Sequence, residues 1–365
     1  MSITVFELSV SDFERSGDQW EALADRSDSP HLFKSWHWCH AWWCSISAQD
    51  RDEIELRILV AARDDSTWIG IAPLFQQRVK RAGLTITLLQ FLAGGYGRQT
   101  IFRAEYNDFL LDRDCAAQAE AALIDAVCAL RGWDELAICD ITRNSLADAF
   151  AERLRTAPRL LADEIGYRVD TSIPFDQYLV FLRGSARRQL FNKRKRLANQ
   201  GDVDFAFVDS DQWPRFWDTL EQFHRDRWNY RLGPTKRQFI ERLCASTAAH
   251  APRNTASRLT LGEQTLSALL DIDYRGRRYN LQAGFDKDAP KGISPSLLHF
   301  GYAIEDACET PVSSYEFLVG KGRTENYKAP IATESTTAKS FGFPRLFWLR
   351  TLYAMSDLVR RLTNR

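Results

Sequence analysis

Two short stretches carry residues suited to proton transfer. Phe223-His224-Arg225-Asp226-Arg227-Trp228 ends an amphipathic helical pattern and offers an imidazole that titrates near neutrality. His224 could take the proton from an attacking amine, with Asp226 or a backbone carbonyl fixing its tautomer. A histidine that is simply well hydrogen-bonded is the ordinary alternative. The second stretch is a hairpin pattern about Arg275-Gly276. A two-residue turn there sets Asp273 opposite Arg278, Asp271 opposite Asn280 and Leu269 opposite Gln282 on one side of a sheet, and Leu270, Ile272, Tyr279 and Leu281 on the other. The polar row suits either a substrate cleft or a solvent-facing sheet with a cross-strand ion pair.

Phosphate chemistry is suggested next to that hairpin. A strand pattern, Tyr279–Asp286, leads through a loop to Ser294-Pro295, a helix opening with a good N-cap residue and proline at the first helical position. A second strand, Tyr315-Glu316-Phe317-Leu318, and then Gly320…Tyr327-Lys328 follow. A helix entered from a strand presents free amides and partial positive charge, which suits a pyrophosphate. Upstream, Arg187, Arg188, Lys193, Arg194, Lys195 and Arg196 crowd one helix whose Ala186, Leu190 and Leu197 point to a core. No acid is near in sequence, so these cations form a solvated basic face or attract a phosphorylated ligand or an anionic membrane surface.

Two other clusters read as structural. His37, His40 and Cys44 share a helical face, but four tryptophans surround them and a fourth ligand is missing, so an aromatic core or interface is expected and no metal. Leu92–Gly97 has glycines without a dinucleotide fingerprint or a P-loop lysine, and reads as a turn bordering a cleft.

The elements that must hold these residues follow an α/β pattern. Expected strands are Thr4–Ser9, Leu56–Ala62, Trp68–Gln76, Thr85–Phe91, Phe109–Leu111 and Glu135–Cys139, with helices at Ser11–Ala24, Ser35–Ser47, Ala116–Arg131 and Ser145–Arg155. After Thr156-Ala157-Pro158 and a short strand at Tyr167–Asp170, the cycle restarts. Helices are expected at Phe175–Leu182, Ser185–Gln200, Gln212–Trp228 and Thr235–Ala248, a strand at Val203–Val208, and a three-strand meander at Ser257–Phe285. The Ser294–Cys308 helix and the Ser314–Leu318 strand complete it. The halves share element order rather than sequence, and no low-complexity linker parts them, so two units packed around a cleft are expected.

Composition narrows the class. The 365 residues, 45% hydrophobic and 12% aromatic, suffice for two cores. Lysine plus arginine equals aspartate plus glutamate at 48 each, which argues against a dedicated nucleic-acid binder. Seven scattered cysteines with no C-x-x-C pair fit a reducing compartment, and a cytoplasmic protein without a membrane span is expected. Phe343–Leu362 forms a basic amphipathic helix. Phe347, Trp348, Leu352, Met355, Leu358, Val359 and Leu362 lie around one side, with Arg350, Arg360 and Arg361 on the other, to pack on the body or lie on an anionic membrane.

Taken together, Arg187-Arg188…Arg194-Lys195-Arg196-Leu197, His224…Arg227-Trp228, Gly284-Phe285-Asp286, Ser294-Pro295…Leu297-Leu298 and Tyr315-Glu316-Phe317-Leu318…Gly320…Tyr327-Lys328 resemble the GNAT-like acyltransferases of the CelD-like, cellulose-biosynthesis family, distant relatives of the FemAB aminoacyltransferases. Ser35…Trp42-Trp43 and Tyr106-Asn107-Asp108-Phe109-Leu110 resemble that family's N-terminal unit. The resemblance implies a tandem GNAT-like (acyl-CoA N-acyltransferase) fold, with units at 1–165 and 166–335 and an amphipathic helix at 336–365.

It further implies that Gln282, Ala283, Gly284 and Phe285 present backbone to a pantetheine arm and that Gly292, Ser294 and Ser296 receive the pyrophosphate. Catalytic roles fall to His224 or Asp271 as base and Tyr327 as proton donor to the leaving thiolate. Lys328, Arg187, Arg188, Arg194, Lys195 and Tyr315 are expected at ligand phosphates or substrate. The loop Asp288–Ile293 lacks the usual arginine/glutamine-x-x-glycine-x-glycine pattern, and Ser296 stands where relatives carry glycine, which leaves the donor open beyond acetyl-CoA. Acetyl-CoA or a longer acyl-CoA is the implied co-substrate, with no tightly bound cofactor, and an amine of a sugar, lipid or other envelope precursor is the implied acceptor. An aminoacyl-tRNA donor and a non-catalytic accessory role in exopolysaccharide synthesis are the alternatives. Peripheral contact with an anionic membrane is expected of residues 341–365, at the inner face of the cell membrane.

Overall fold

The computed structural model describes residues 2–81, 83–94, 96, 101–320 and 326–363, with side chains through Met355. Gly95 and Gly97 of the glycine-bearing segment lie outside the described residues. The chain runs β1 (Ile3–Glu7), α1 (Val10–Arg15), α2 (Gly17–Asp25), α3 (Trp36–Ser45), α4 (Ala48–Arg51), β2 (Ile54–Arg63), β3 (Trp68–Arg81), β4 (Leu84–Phe91), β5 (Leu110–Leu111), α5 (Ala116–Ala129), β6 (Glu135–Ile141) and α6 (Asn144–Leu154). It continues with β7 (Arg159–Asp170), α7 (Phe175–Phe181), α8 (Gly184–Arg187), a π segment (Arg188–Asn192), α9 (Lys193–Ala198), β8 (Val203–Phe207), α10 (Trp213–Trp228) and α11 (Pro234–Leu243). Last come β9 (Arg253–Asn254), β10 (Ser257–Leu261), β11 (Gln264–Tyr274), β12 (Arg277–Phe285), α12 (Pro295–Glu309), β13 (Ser314–Val319), β14 (Glu334–Pro344) and α13 (Phe347–Thr363).

Two compact units result, residues 1–163 with 338–365, and residues 164–337. In the first unit the strand order is β1-β2-β3-β4-β6-β14, antiparallel except for β4 beside β6. Its core joins Leu59, Ile69 and Leu74 of the sheet to Leu123 and Val127 of α5 and Phe150 of α6. The Ser35 hydroxyl caps α3 by accepting from the Trp38 amide at 3.1 Å, and Trp38, Trp42 and Trp43 are buried. His40 stacks on Trp36 with ring centroids 4.2 Å apart and lies 3.5 Å from the Cys44 sulfur.

In the second unit the order is β7-β13-β12-β11-β10-β8, and only β12 and β13 are parallel. The core on one face joins Leu269, Leu190, Phe300, Ile304, Tyr315 and Phe317, with Ala283 against it. The next residue, Gly284, points to the other face, where a Cβ would meet Leu220 Cδ1 at 2.9 Å and Phe223 Cβ at 3.0 Å. Only glycine lets α10 approach β12 so closely.

Several expected elements change. The helix expected over Ser11–Ala24 is two helices parted at Ser16, whose hydroxyl turns back to the Phe13 carbonyl. The short strand at Tyr167–Asp170 is twelve residues long, and β14 was not expected, because its exposed half, Glu334–Thr337, shows no apolar alternation. The helix of Ser185–Gln200 is interrupted by the π segment, where the backbone repeat loosens. The helix expected from Thr235 to Ala248 stops at Leu243. Phe343 lies in β14, so the terminal helix begins at Phe347 rather than there.

Candidate functional site

Strands β12 and β13 run in parallel for three residue pairs only, Arg277 with Ser314, Arg278 with Tyr315 and Tyr279 with Glu316. Immediately beyond, both strands are irregular. The ladder of β11 with β12 shifts between Leu270 and Asp271, which places Leu270 opposite Gln282 and Leu269 opposite Ala283, not opposite Gln282 as a regular hairpin would. The ladder of β13 with β7 shifts between Glu316 and Leu318, and Leu318 adopts φ 63°. The strands therefore part where each bulges, and Gln282–Phe285 of β12 has no ladder with β13 among the described residues. Gln282, Ala283 and Phe285 are half-buried along this opening.

Nine residues, Asp286 to Ser294, separate the end of β12 from the start of α12. Ser294 is its N-cap in extended conformation, and its hydroxyl makes no capping bond. Pro295 has no N–H, so the amides of Ser296 and Leu297 are the free donors of the first turn. Gly292 precedes them at φ 79°, a left-handed value natural to glycine. The Arg196 guanidinium donates to the Lys291 carbonyl at 3.0 Å and would stand 3.0 Å from a Cβ at residue 292, so a cation sits at the entrance to α12. Arg196 was legible only as one cation among six, because the loop it reaches is 95 residues away.

The polar row of the hairpin is not a solvent-facing surface. Asp271, Asp273, Arg278 and Asn280 are all buried. Arg278 donates to both oxygens of Asp273, at 2.7 and 3.0 Å, and to Asp306 of α12 at 2.7 Å. This ties the hairpin to the helix. The Asp271 carboxyl accepts from Asn280 Nδ2 at 2.6 Å and from the Tyr315 hydroxyl at 2.8 Å. Burial pushes it up to about 7, against the pull of those two hydrogen bonds and of the Arg278 charge. Tyr315 itself is held well above the usual phenol range, by burial and then by the Asp271 charge, with Tyr327 also acting on it.

Tyr327 stacks on Phe300 at 6.0 Å, and burial raises its phenol to about 12 against the pull of the Arg227 charge. The Arg227 guanidinium lies 4.0 Å from the Phe285 ring centre, at the end of β12. The Tyr315–Asp271 hydrogen bond and the Arg227–Phe285 stack are the contacts that fix these side chains. His224 is buried, edge-on to Trp228 at 4.8 Å. Asp226 Oδ1 accepts from Gln222 at 2.6 Å, one turn back on the same helix.

The remaining expected residues divide. Arg187, Arg188 and Lys195 are exposed. Arg194 is not among them: it pairs with Glu305, lies 3.7 Å from the Tyr302 ring centre, and approaches Phe191 and Phe175 at 4.7 and 5.6 Å. The acid that seemed missing near the basic helix comes from α12, 111 residues on. Lys328 is buried, and its ammonium donates to the carbonyls of Leu318 and Val319 at 3.2 Å each, where β13 ends.

The first unit repeats the parting but closes it. Strands β4 and β6 are parallel for three pairs, Leu88 with Glu135, Leu89 with Leu136 and Gln90 with Ala137. Beyond them the Ala104 amide donates to the Ala93 carbonyl at 2.8 Å, the Asn107 amide to Asp140 at 3.1 Å, and Asn107 Nδ2 to Cys139 at 2.9 Å. The chain's own segment bridges the two strands there. Asp108, next to it, is fixed by two hydrogen bonds of 2.7 Å from Arg143.

Residues 184–329 match the family model described as "Acetyltransferase (GNAT) domain". Among solved structures, FemX aligns over 96% of this chain and 99% of its own, with a TM-score of 0.63 at 11% identity. L-PGS from Bacillus licheniformis aligns over 95% and 97% with a TM-score of 0.54 at 14% identity. The C-terminal domain of a putative lysylphosphatidylglycerol synthetase from Agrobacterium fabrum aligns over 95% and 96%, with a TM-score of 0.54 at 12% identity. At these identities the likeness is one of fold. No curated protein matches the sequence. The chain shares its fold with these structures, and residues 184–329, within its second unit, match the GNAT acetyltransferase domain model.

Proposed function

We propose that the second unit transfers an acyl group from an acyl-CoA-type donor directly to an amine of a sugar, lipid or other envelope precursor, in the cytoplasm and in the service of exopolysaccharide assembly, as in the CelD-like proteins its motifs resemble. The observation that carries this reading is the parting of β12 from β13, open in this unit, with the free N-terminus of α12 beyond it. A pantetheine arm would bond the backbone of Gln282–Phe285 as an added strand does. The diphosphate would meet Gly292, Ser294 and Ser296, with Arg196 supplying charge.

In the proposed step the acceptor amine attacks the thioester carbonyl, giving a tetrahedral oxyanion that collapses with loss of thiolate. Tyr327 protonates that thiolate. His224 or the Tyr315–Asp271 pair takes the amine's proton. Tyr315 donates its own hydrogen to Asp271, which leaves its oxygen lone pairs to accept another, so Asp271 would act through Tyr315.

Thermal unfolding with CoA, acetyl-CoA and a long-chain acyl-CoA tests the donor. At a hundredfold excess over the dissociation constant the ligand stabilises by about 2.7 kcal/mol, a shift of several degrees. Absence of a shift with every CoA form overturns the reading. A second reading, transfer from aminoacyl-tRNA, is favoured by one observation: Arg187, Arg188 and Lys195 are exposed and pair with no carboxylate among the described residues. It predicts tRNA binding that weakens steeply with salt and is lost when these three are neutralised.

A further inference from the structure

Among the described side chains of α13, apolar residues lie on two sides, and one of these is packed. Leu349 is fully buried and Tyr353 nearly so, and with Leu352 of the same helix they pack against Val79, Ile86 and Leu346. The Tyr353 hydroxyl donates to Glu135 at 2.7 Å. Phe347, Trp348 and Met355, by contrast, are 82%, 38% and 55% exposed. At about 100° per residue these three fall within one arc of about 100°, away from Leu349 and Tyr353. Of the stripe that the sequence marks on this helix, Phe347, Trp348 and Met355 are exposed, while Leu352 packs with Leu349 and Tyr353.

A cavity of about 370 Å³ opens where α13 begins, lined by Cys128, Trp133, Arg153, Thr156, Arg345 and Arg350 among others. Arg153 pairs with Asp125. Arg345 lies over the Trp133 ring and donates to the Leu130 carbonyl at 3.2 Å, and Arg350 donates to the Pro344 carbonyl at 2.9 Å and the Thr156 hydroxyl at 2.8 Å. Neither is paired with a carboxylate among the described residues, so two full charges face the cavity with only neutral oxygens as partners. An aromatic, apolar stripe beside an uncompensated cationic pocket matches the two layers of a bilayer interface, acyl chains below and phosphates above. No helix among the described residues is long and apolar enough to cross a membrane.

We propose that α13 docks on an anionic bilayer, with the Phe347–Trp348–Met355 stripe at the boundary of headgroups and acyl chains and a lipid phosphate in the Arg345–Arg350 cavity. The proposal uses no residue of the second unit and stands apart from the acyl-transfer reading. Flotation of the full chain with vesicles of phosphatidylcholine, alone or with phosphatidylglycerol, tests it. Expected are flotation that requires phosphatidylglycerol, weakening with added salt, and a loss of about tenfold for Phe347→Ser and again for Met355→Ser. Both exposed variants should keep the wild-type melting midpoint. Arg350→Gln should cut binding to phosphatidylglycerol vesicles, and inorganic phosphate should compete only weakly because it lacks the acyl anchor. No flotation, equal flotation with phosphatidylcholine alone, or binding indifferent to Phe347→Ser overturns the proposal. So does a dimer that Phe347→Ser disperses, since a second copy would then cover the stripe.

Discussion

Asp271 concentrates the electrostatic tension of the second unit. Its carboxyl is buried, held by Asn280 and Tyr315, and titrates near 7 rather than in the usual carboxylate range. A raised folded-state value means that the native state binds this proton more tightly than the unfolded chain does. The stabilisation is complete below about 3.9, the unfolded value, and is lost as pH rises through about 7. Asp271→Asn removes that titration while keeping an oxygen for the Tyr315 hydroxyl. Urea midpoints at pH 5 and pH 8 should therefore differ less in this variant than in the wild type. An unchanged difference would place the titration elsewhere. Tyr327 gives the catalytic counterpart. If it protonates the leaving thiolate, Tyr327→Phe should lower kcat by about a hundredfold, with the KM for donor nearly unchanged and the melting midpoint retained. A loss confined to KM would make it a binding residue.

At the scale of elements, the π segment and α12 are built for each other. The Leu190 carbonyl lies where a Cβ on Gly301 would stand 2.1 Å away, so α12 packs on that segment through bare backbone. Arg194, in α9 directly after the π segment, then ties that helix to α12 through Tyr302 and Glu305. Gly301→Ala should destabilise the protein by about 3 kcal/mol, since neither a backbone carbonyl nor a helix can shift by an atom's radius without repacking. Chemical denaturation checks the cost. The same variant should also weaken CoA binding, because α12 carries the proposed phosphate site. Full stability in Gly301→Ala would show that the segment gives way easily.

At the scale of the whole molecule, the two units repeat one strand geometry with opposite outcomes. Three parallel pairs precede the parting in each, yet the first is bridged by Ala104 and Asn107 while the second has no such bridge among the described residues. Calorimetric titration with CoA should accordingly find one site per chain. Asn107→Ala, which removes two side-chain hydrogen bonds to buried carbonyls, should cost stability without adding a second site. Two equivalent sites would refute the distinction.

Much of this fold was written in local pattern. The element order followed from hydrophobic periodicity and from caps such as Ser35 and Ser294-Pro295, because those signals act within a turn or two of chain. The strand, loop and helix of 279–309 were legible for the same reason, as were the buried faces of Ala186, Leu190 and Leu197. What only the tertiary structure decided is everything set by contacts distant in sequence. Glu305 claims Arg194, Asp306 joins Asp273 on Arg278, Arg196 reaches the loop before α12, and α13 packs through Leu349, Leu352 and Tyr353 while Phe347, Trp348 and Met355 stay exposed. The bulges that part β12 from β13 belong here too, since an inserted residue leaves the alternation of a short strand nearly intact while shifting its register against a neighbour. The sequence determined which residues have the chemistry to hold a phosphorylated donor, and the fold decided which of them are free to do so.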